Sequence, residues 1–148
     1  PNSQIQEFLD INNGSGIQHI ALKTNNITSV TRQLRSRGLA FLRVPHNYYT
    51  LDKKQLNCHF SQMEWQDLIE QNILLDSEKS QLLSLYKNPK FIPILLQIFT
   101  EPIFNKPTFF FEIIERREQA KGFGEGNFLA LFKAIEREQM KRGTLMNC

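Results

Sequence analysis

An α+β fold, one βαβββ module with a helix at each end, is predicted by three observations. Four strand-length stretches rich in β-branched and aromatic residues lie between Gly, Pro and Asn punctuation. One amphipathic helical stripe separates the first two strands, and two more stand near the ends of the chain. The 148 residues, 41% hydrophobic and 22% charged, suit a single domain able to bury a core.

The first helix is expected over Ser3 to Ile11, where Ile5, Phe8 and Leu9 take i, i+3, i+4 spacing, and Asn12-Asn13-Gly14-Ser15-Gly16 stops it. Ile17 to Thr24 follows as a strand. Asn26 is placed to cap a helix whose apolar face is Ile27, Val30 and Leu34. Arg35 and Arg37 suit its last turn and Gly38 its end. Leu39 to Val44, closed by Pro45, is expected as the second strand.

Residues 46–88 are polar, mixed in pattern and long for a connection, so an insertion between strands is expected there. Within it, Glu64 to Glu70 has Trp65, Leu68 and Ile69 at helical spacing, and Leu82, Leu83 and Leu85 suggest a further short element. Ile94 to Thr100 and Thr108 to Arg116 then read as a hairpin, its loop marked by Pro102, Asn105 and Pro107. After the turn from Gly122 to Asn127, Asn127 is expected to cap a last helix carrying Phe128, Leu131, Phe132 and Ile135, with Gly143 just past its end.

The balance of 18 Lys and Arg against 15 Asp and Glu leaves a net charge of only +3, a weak basis for binding nucleic acid. No apolar run approaches the roughly 20 residues of a membrane span, since Pro93 and Gln97 interrupt even Ile92 to Phe99. Two cysteines, Cys58 and Cys148, make no disulfide framework, and a reducing, cytoplasmic setting is the default. With Pro1 first and neither a Met nor a signal peptide, the chain reads as an excerpt of a longer one.

Strand parity isolates the residues that carry chemistry. Leu95, Gln97 and Phe99 share one face of their strand, and Phe110, Glu112 and Ile114 share one face of the next. A carboxylate inside FFFEII is costly unless a cation or a hydrogen-bond donor meets it. Glu112 is therefore either paired with a buried Arg or Lys or a member of a site. His19, alone in its strand, reads either as a satisfied core histidine or as a metal ligand. Together the two invite a 2-His-1-carboxylate Fe(II) site that lacks one His, for which His46 and His59 are poorly placed. The glycines from Gly122 to Asn127 lack the Lys-Ser/Thr of a phosphate loop and read better as a hinge. The phenylalanines that follow are either plain core or the cover of a pocket.

Several segments resemble one known family. SQIQEFLDINNGSGIQHIALKT, GLAFLRVPHNYY, LLQIFTEP, PTFFFEIIERR and GFGEGNFLALFKAIEREQMKRGTL are similar to the carboxyl-terminal portion of the 4-hydroxyphenylpyruvate dioxygenases, from Ser3 to Leu145 apart from the insertion. The resemblance implies the vicinal-oxygen-chelate (glyoxalase-like) fold, with residues 1–148 as its last βαβββ module plus a C-terminal helix. It implies Fe(II) held by two His and one Glu, of which His19 and Glu112 match two. The first His would lie in a preceding module, so this chain alone is expected to be inactive.

The resemblance also assigns Gln4, Gln18 and Gln97 to an amide network near the phenol end of the substrate. Phe99 and Phe128 would stack on the substrate ring, Phe110 and Phe123 would form pocket wall, and Asn127 would lie beside a mobile helix. The implied reaction takes a 2-oxo acid substrate and O2 to homogentisate and CO2 in tyrosine and phenylalanine catabolism, without an organic cofactor. Hydroxymandelate synthase is the nearest alternative, although a smaller aliphatic residue is usual there at the place of Phe128. A non-catalytic module of the fold is another. Some bacterial relatives carry haemolysin or pigment labels, which homogentisate darkening would explain, and no membrane-active stretch here supports lysis. The expected partners are therefore small molecules, with neither nucleic acid nor membrane. The open apolar face of a lone module predicts a homo-oligomer.

Overall fold

The computed structural model describes residues 4–77, 92–104 and 106–143. In chain order these form α1 (Gln4–Asn12), β1 (His19–Lys23), α2 (Ile27–Ser36), α3 (Gln62–Gln71), β2 (Leu74–Ser77), β3 (Ile94–Phe99), β4 (Phe110–Arg117) and α4 (Phe128–Arg142). A π-helical turn at Tyr48–Asp52 and 3-10 turns at Lys54–His59 and Glu125–Asn127 complete them. The expected element at Leu82, Leu83 and Leu85 lies outside the described residues, as do Asn105 and Cys148.

The strands make one sheet in the order β1-β4-β3-β2, with β1 parallel to β4 and the other pairs antiparallel. The β3–β4 pair is the expected hairpin. Leu39 to Val44 is not the second strand of the sheet. Only Phe41 bridges to Thr100, with Leu42 N–H donating to the Phe99 carbonyl at 2.9 Å. The reason is competition for one edge, because β2 already occupies β3 from Ile94 to Gln97 and leaves only its far end open. The second strand is instead β2, inside the stretch expected as an insertion. Four residues, LLDS, are too few to show a period.

Local chemistry accounts for three of the helix ends. Asn26 Oδ1 accepts from Ser29 N–H at 3.0 Å and Ser61 Oγ from Glu64 N–H at 3.2 Å, so α2 and α3 are both capped. Gly143 closes α4 at φ +71°, a left-handed conformation that suits glycine. Asn127 does not cap α4: its side chain turns inward, for reasons given below.

One face of the sheet presents Leu96, Ile98 and Ile113, which join Ile27 of α2 and Leu68 of α3 in the main apolar cluster. Glu115 reinforces this side across 88 residues, its carboxylate accepting the Ile27 N–H at the start of α2 at 2.7 Å. Arg117 bridges Glu115 at 2.7 Å and Glu64 of α3 at 2.6 Å, fastening α2 and α3 to β4. The other face, which carries Gln97, Phe99, Phe110 and Glu112, is closed only in part by α4 and by α1 packed against it. β1 lies exposed along its whole length at the sheet edge. Among the described residues no helix is long and apolar enough to cross a membrane.

Candidate active site

The parallel β1–β4 register sets Ala21 beside Glu112, and the antiparallel β3–β4 register sets Phe99 on its other side. Side chains from three neighbouring strands therefore meet on one concave surface. His19, Gln97, Phe99, Glu112, Phe123, Asn127 and Phe128 all line a cavity of about 420 Å³ roofed by the start of α4.

His19 Nε2 and Glu112 Oε2 stand 3.8 Å apart, although 93 residues separate them in sequence. That is too long for a hydrogen bond. It is within the roughly 4 Å that can separate two donors to one small divalent ion. The imidazole is stacked on Phe110, with ring centres 5.1 Å apart and planes 11° from parallel, and Phe110 meets Phe99 edge-on at 6.1 Å. Two buried aromatic rings thus fix the plane of a half-exposed histidine.

Glu112 is nearly buried, and burial pushes its carboxyl above the usual range, opposed by the Gln97 hydrogen bond and by the charges of His19 and Arg116. Gln97 Nε2 donates to Glu112 Oε1 at 2.7 Å and to the Phe123 carbonyl at 3.1 Å. Gln97 Oε1 accepts from Asn127 Nδ2 at 2.7 Å, which is why Asn127 does not cap α4. A nitrogen and an oxygen donor side by side, the oxygen held in place by an amide, form a donor set fit for Fe(II). Among the described residues no group of three His, Cys, Asp or Glu could hold a metal.

The structure divides the expected amide network. Gln97 is at its centre, whereas Gln4 Nε2 donates to the Phe132 carbonyl at 2.9 Å, and Gln4 and Gln18 line a second, small hollow of about 40 Å³ beside Phe110. The reason is placement: α1 packs on α4, and Gln18, just before β1, lines that hollow together with Gln4 and Phe8 of α1. Phe123 and Phe128 reach the cavity but remain exposed, at 80% and 47%. His46 and His59 lie outside the cavity lining.

Two contributors escaped sequence reasoning. Arg116 holds the turn after β4 through the Ala120 and Gly122 carbonyls, at 3.0 and 2.9 Å, and lines the cavity. Its parity with Glu112 and Ile114 was the available signal. Tyr48 reaches Asn127 from the π-helical turn, and nothing in the periodicity around it announces a role.

Gly124 has a requirement of its own. At φ +77° a Cβ there would run into the amide of Gln97. Gly124→Ala is expected to cost about 1–3 kcal/mol and to push Gln97 off Glu112, seen as a lowered melting temperature together with weaker metal binding. An unchanged melting temperature would show that the turn relaxes without strain.

No family model matches the chain. It is 43% identical over 147 residues to 4-hydroxyphenylpyruvate dioxygenase of Pyricularia oryzae, covering 97% of this chain and 32% of that one. To the enzymes of that name from Dictyostelium discoideum and Sus scrofa it is 48% and 45% identical, covering 36% and 34% of them. The chain thus spans about a third of the length of these curated relatives. Among solved structures, a triple mutant of 4-hydroxymandelate synthase from Streptomyces coelicolor superposes with TM-score 0.73 at 36% identity, over 93% of this chain and 34% of that one. A xylose isomerase-like TIM barrel/4-hydroxyphenylpyruvate dioxygenase fusion protein gives TM-score 0.69 at 26% identity, over 85% of this chain and 18% of that one. The chain is therefore a homologue of the carboxyl-terminal portion of 4-hydroxyphenylpyruvate dioxygenase, with the same vicinal-oxygen-chelate type of fold.

Proposed function

We propose that this chain is the carboxyl-terminal part of an Fe(II)-dependent dioxygenase that converts 4-hydroxyphenylpyruvate and O2 to homogentisate and CO2. The observation that carries the reading is the approach of His19 and Glu112 to 3.8 Å at the floor of a largely apolar cavity. His19 Nε2 and Glu112 would hold the iron, with one further His contributed by a preceding module. When bound, Fe(II) supplies coordination positions for the carboxylate and keto oxygen of a 2-oxo acid and for O2.

The side chains of this part bind, orient and exclude water. Gln97 keeps the Glu112 carboxylate turned toward His19. Phe110 keeps the imidazole plane fixed. Phe99 and Phe128 take the substrate ring between them, and Phe123 covers the mouth once the first turn of α4 closes. A dry aromatic box of this kind limits side reactions of a strongly oxidising centre.

The likeness to 4-hydroxymandelate synthase favours a second reading, benzylic hydroxylation of the same substrate, which Phe128 argues against. The test is product analysis on the full natural chain carrying this sequence, supplied with Fe(II), 4-hydroxyphenylpyruvate and O2. Homogentisate is expected. Hydroxymandelate would establish the second reading, and no oxygen uptake would refute both. We place the reaction in the cytoplasm, and expect the isolated chain to self-associate through its open sheet face.

A further inference from the structure

The relay that ends on Glu112 begins at Tyr48, which neither the sequence nor the comparisons single out. Its members are almost wholly buried: Tyr48 is 3% exposed, Asn127 1% and Gln97 2%. Leu75 N–H donates to the Tyr48 hydroxyl at 2.7 Å, and the hydroxyl reaches Asn127 Oδ1 at 2.7 Å. Asn127 Nδ2 then donates to Gln97 Oε1, and Gln97 Nε2 to Glu112 Oε1, each at 2.7 Å. The hydroxyl has one proton and two acceptors within reach, Asn127 Oδ1 at 2.7 Å and the Leu75 carbonyl at 2.9 Å.

Each amide in this chain can sit in two orientations that fill the same space. The two ends decide between them. A carboxylate accepts only, so Gln97 must turn its nitrogen to Glu112, and both protons of that nitrogen are taken, by Glu112 and by the Phe123 carbonyl. Gln97 Oε1 then needs a donor, which is Asn127 Nδ2, and Asn127 Oδ1 in turn needs one, which is Tyr48. Without that hydroxyl, Asn127 Oδ1 is buried and short of its donor. Turning Asn127 would then set its oxygen against Gln97 Oε1, and turning Gln97 as well would set an oxygen against both Glu112 and the Phe123 carbonyl.

We infer that Tyr48 is a positioning residue of the iron site, fixing through Asn127 and Gln97 the orientation that leaves Glu112 Oε2 toward His19. The inference rests on the dioxygenase reading above. Tyr48 stands in a π-helical turn, a form of backbone that frequently marks functional sites. Its neighbour Tyr49 supplies an internal control. Tyr49 is equally buried, at 2%, and its hydroxyl donates to the Ile73 carbonyl at 3.0 Å, yet it has no part in the relay.

The experiment compares Tyr48→Phe, Tyr49→Phe and Asn127→Asp with the unaltered full natural chain. It reads Fe(II) affinity by competition with a chromogenic chelator, and kcat and KM for 4-hydroxyphenylpyruvate. Outer partners of metal ligands are commonly worth about 10- to 100-fold in metal affinity or activity. Tyr48→Phe should lose that much Fe(II) affinity and lower kcat more than it raises KM, with Tyr49→Phe unchanged in both. Asn127→Asp keeps Tyr48 on Leu75 but offers acceptors in both directions, and should lose at least as much. Equal Fe(II) affinity in the two Tyr→Phe variants would overturn the inference. Should Tyr48→Phe fail to fold, undiminished Fe(II) affinity in Asn127→Asp would overturn it instead, and a loss there would support it. If the unaltered chain itself neither holds Fe(II) nor makes homogentisate, it is the dioxygenase reading that has failed.

Discussion

Glu112→Gln in the full natural chain is expected to end Fe(II)-dependent homogentisate formation while leaving the fold intact. The side chain is a near-isostere. Its Oε1 can still accept from Gln97 Nε2, so the packing and the relay beneath the cavity are kept. What disappears is the anionic donor beside His19. Because even the outer partners of metal ligands are worth about 10- to 100-fold, removal of a ligand should cost more than about 100-fold in activity. Stability should be unchanged or slightly improved, since burial is the main influence on this carboxyl and an amide avoids the cost of burying a charge. Thermal melting and product chromatography together check the result. Undiminished homogentisate would refute the ligand role of Glu112, and a collapsed fold would show that its function is structural.

Phe128→Ile is expected to redirect the reaction and not to stop it. Phe128 opens α4, lines the cavity and is still 47% exposed, so a smaller residue there leaves the apolar core untouched. His19 and Glu112 are likewise left in place. The variant loses an aromatic face against the substrate ring, a contact worth about 0.5–1.5 kcal/mol. As about 1.4 kcal/mol between two barriers changes their ratio tenfold, homogentisate per O2 consumed should fall several-fold, with hydroxymandelate taking its place. Oxygen uptake measured alongside product decides the matter. Lost uptake with no change of product would place Phe128 in iron binding or folding instead.

Much of this site was legible in the sequence because strand parity is a two-state code. Alternation alone pairs Gln97 with Phe99 and Phe110 with Glu112, each on one face of its strand, and a lone carboxylate among phenylalanines marks a place where something must compensate it. Parity could not say which strands are neighbours. His19 comes beside Phe110 only because β1 pairs in parallel with β4, a contact across the whole module. The resemblance implied that the two residues belong to one metal site, and the register is what sets their side chains near each other.

What stayed hidden has physical causes too. Leu39 to Val44 has a strand's composition but loses its place on β3 to β2, a competition decided by tertiary packing and invisible to local propensity. Asn127 stands where an N-cap belongs, yet a buried amide and a tyrosine hydroxyl claim its side chain. Gln4 and Gln18 have the same side chain as Gln97 and could be separated from it only once α1 had found α4. Tyr48 works through its hydroxyl from an irregular turn, where periodicity carries no information.

The central claim is that His19 and Glu112 hold one metal ion. A crystal structure of the full natural chain with Fe(II), its anomalous signal recorded at the iron edge, tests this most directly. The account predicts a single ion at about 2.0–2.2 Å, the usual distance for N and O donors to a first-row divalent metal, from both His19 Nε2 and a Glu112 carboxylate oxygen, with Gln97 still donating to Glu112. An iron bound elsewhere, with His19 and Glu112 both outside its coordination sphere, would contradict it.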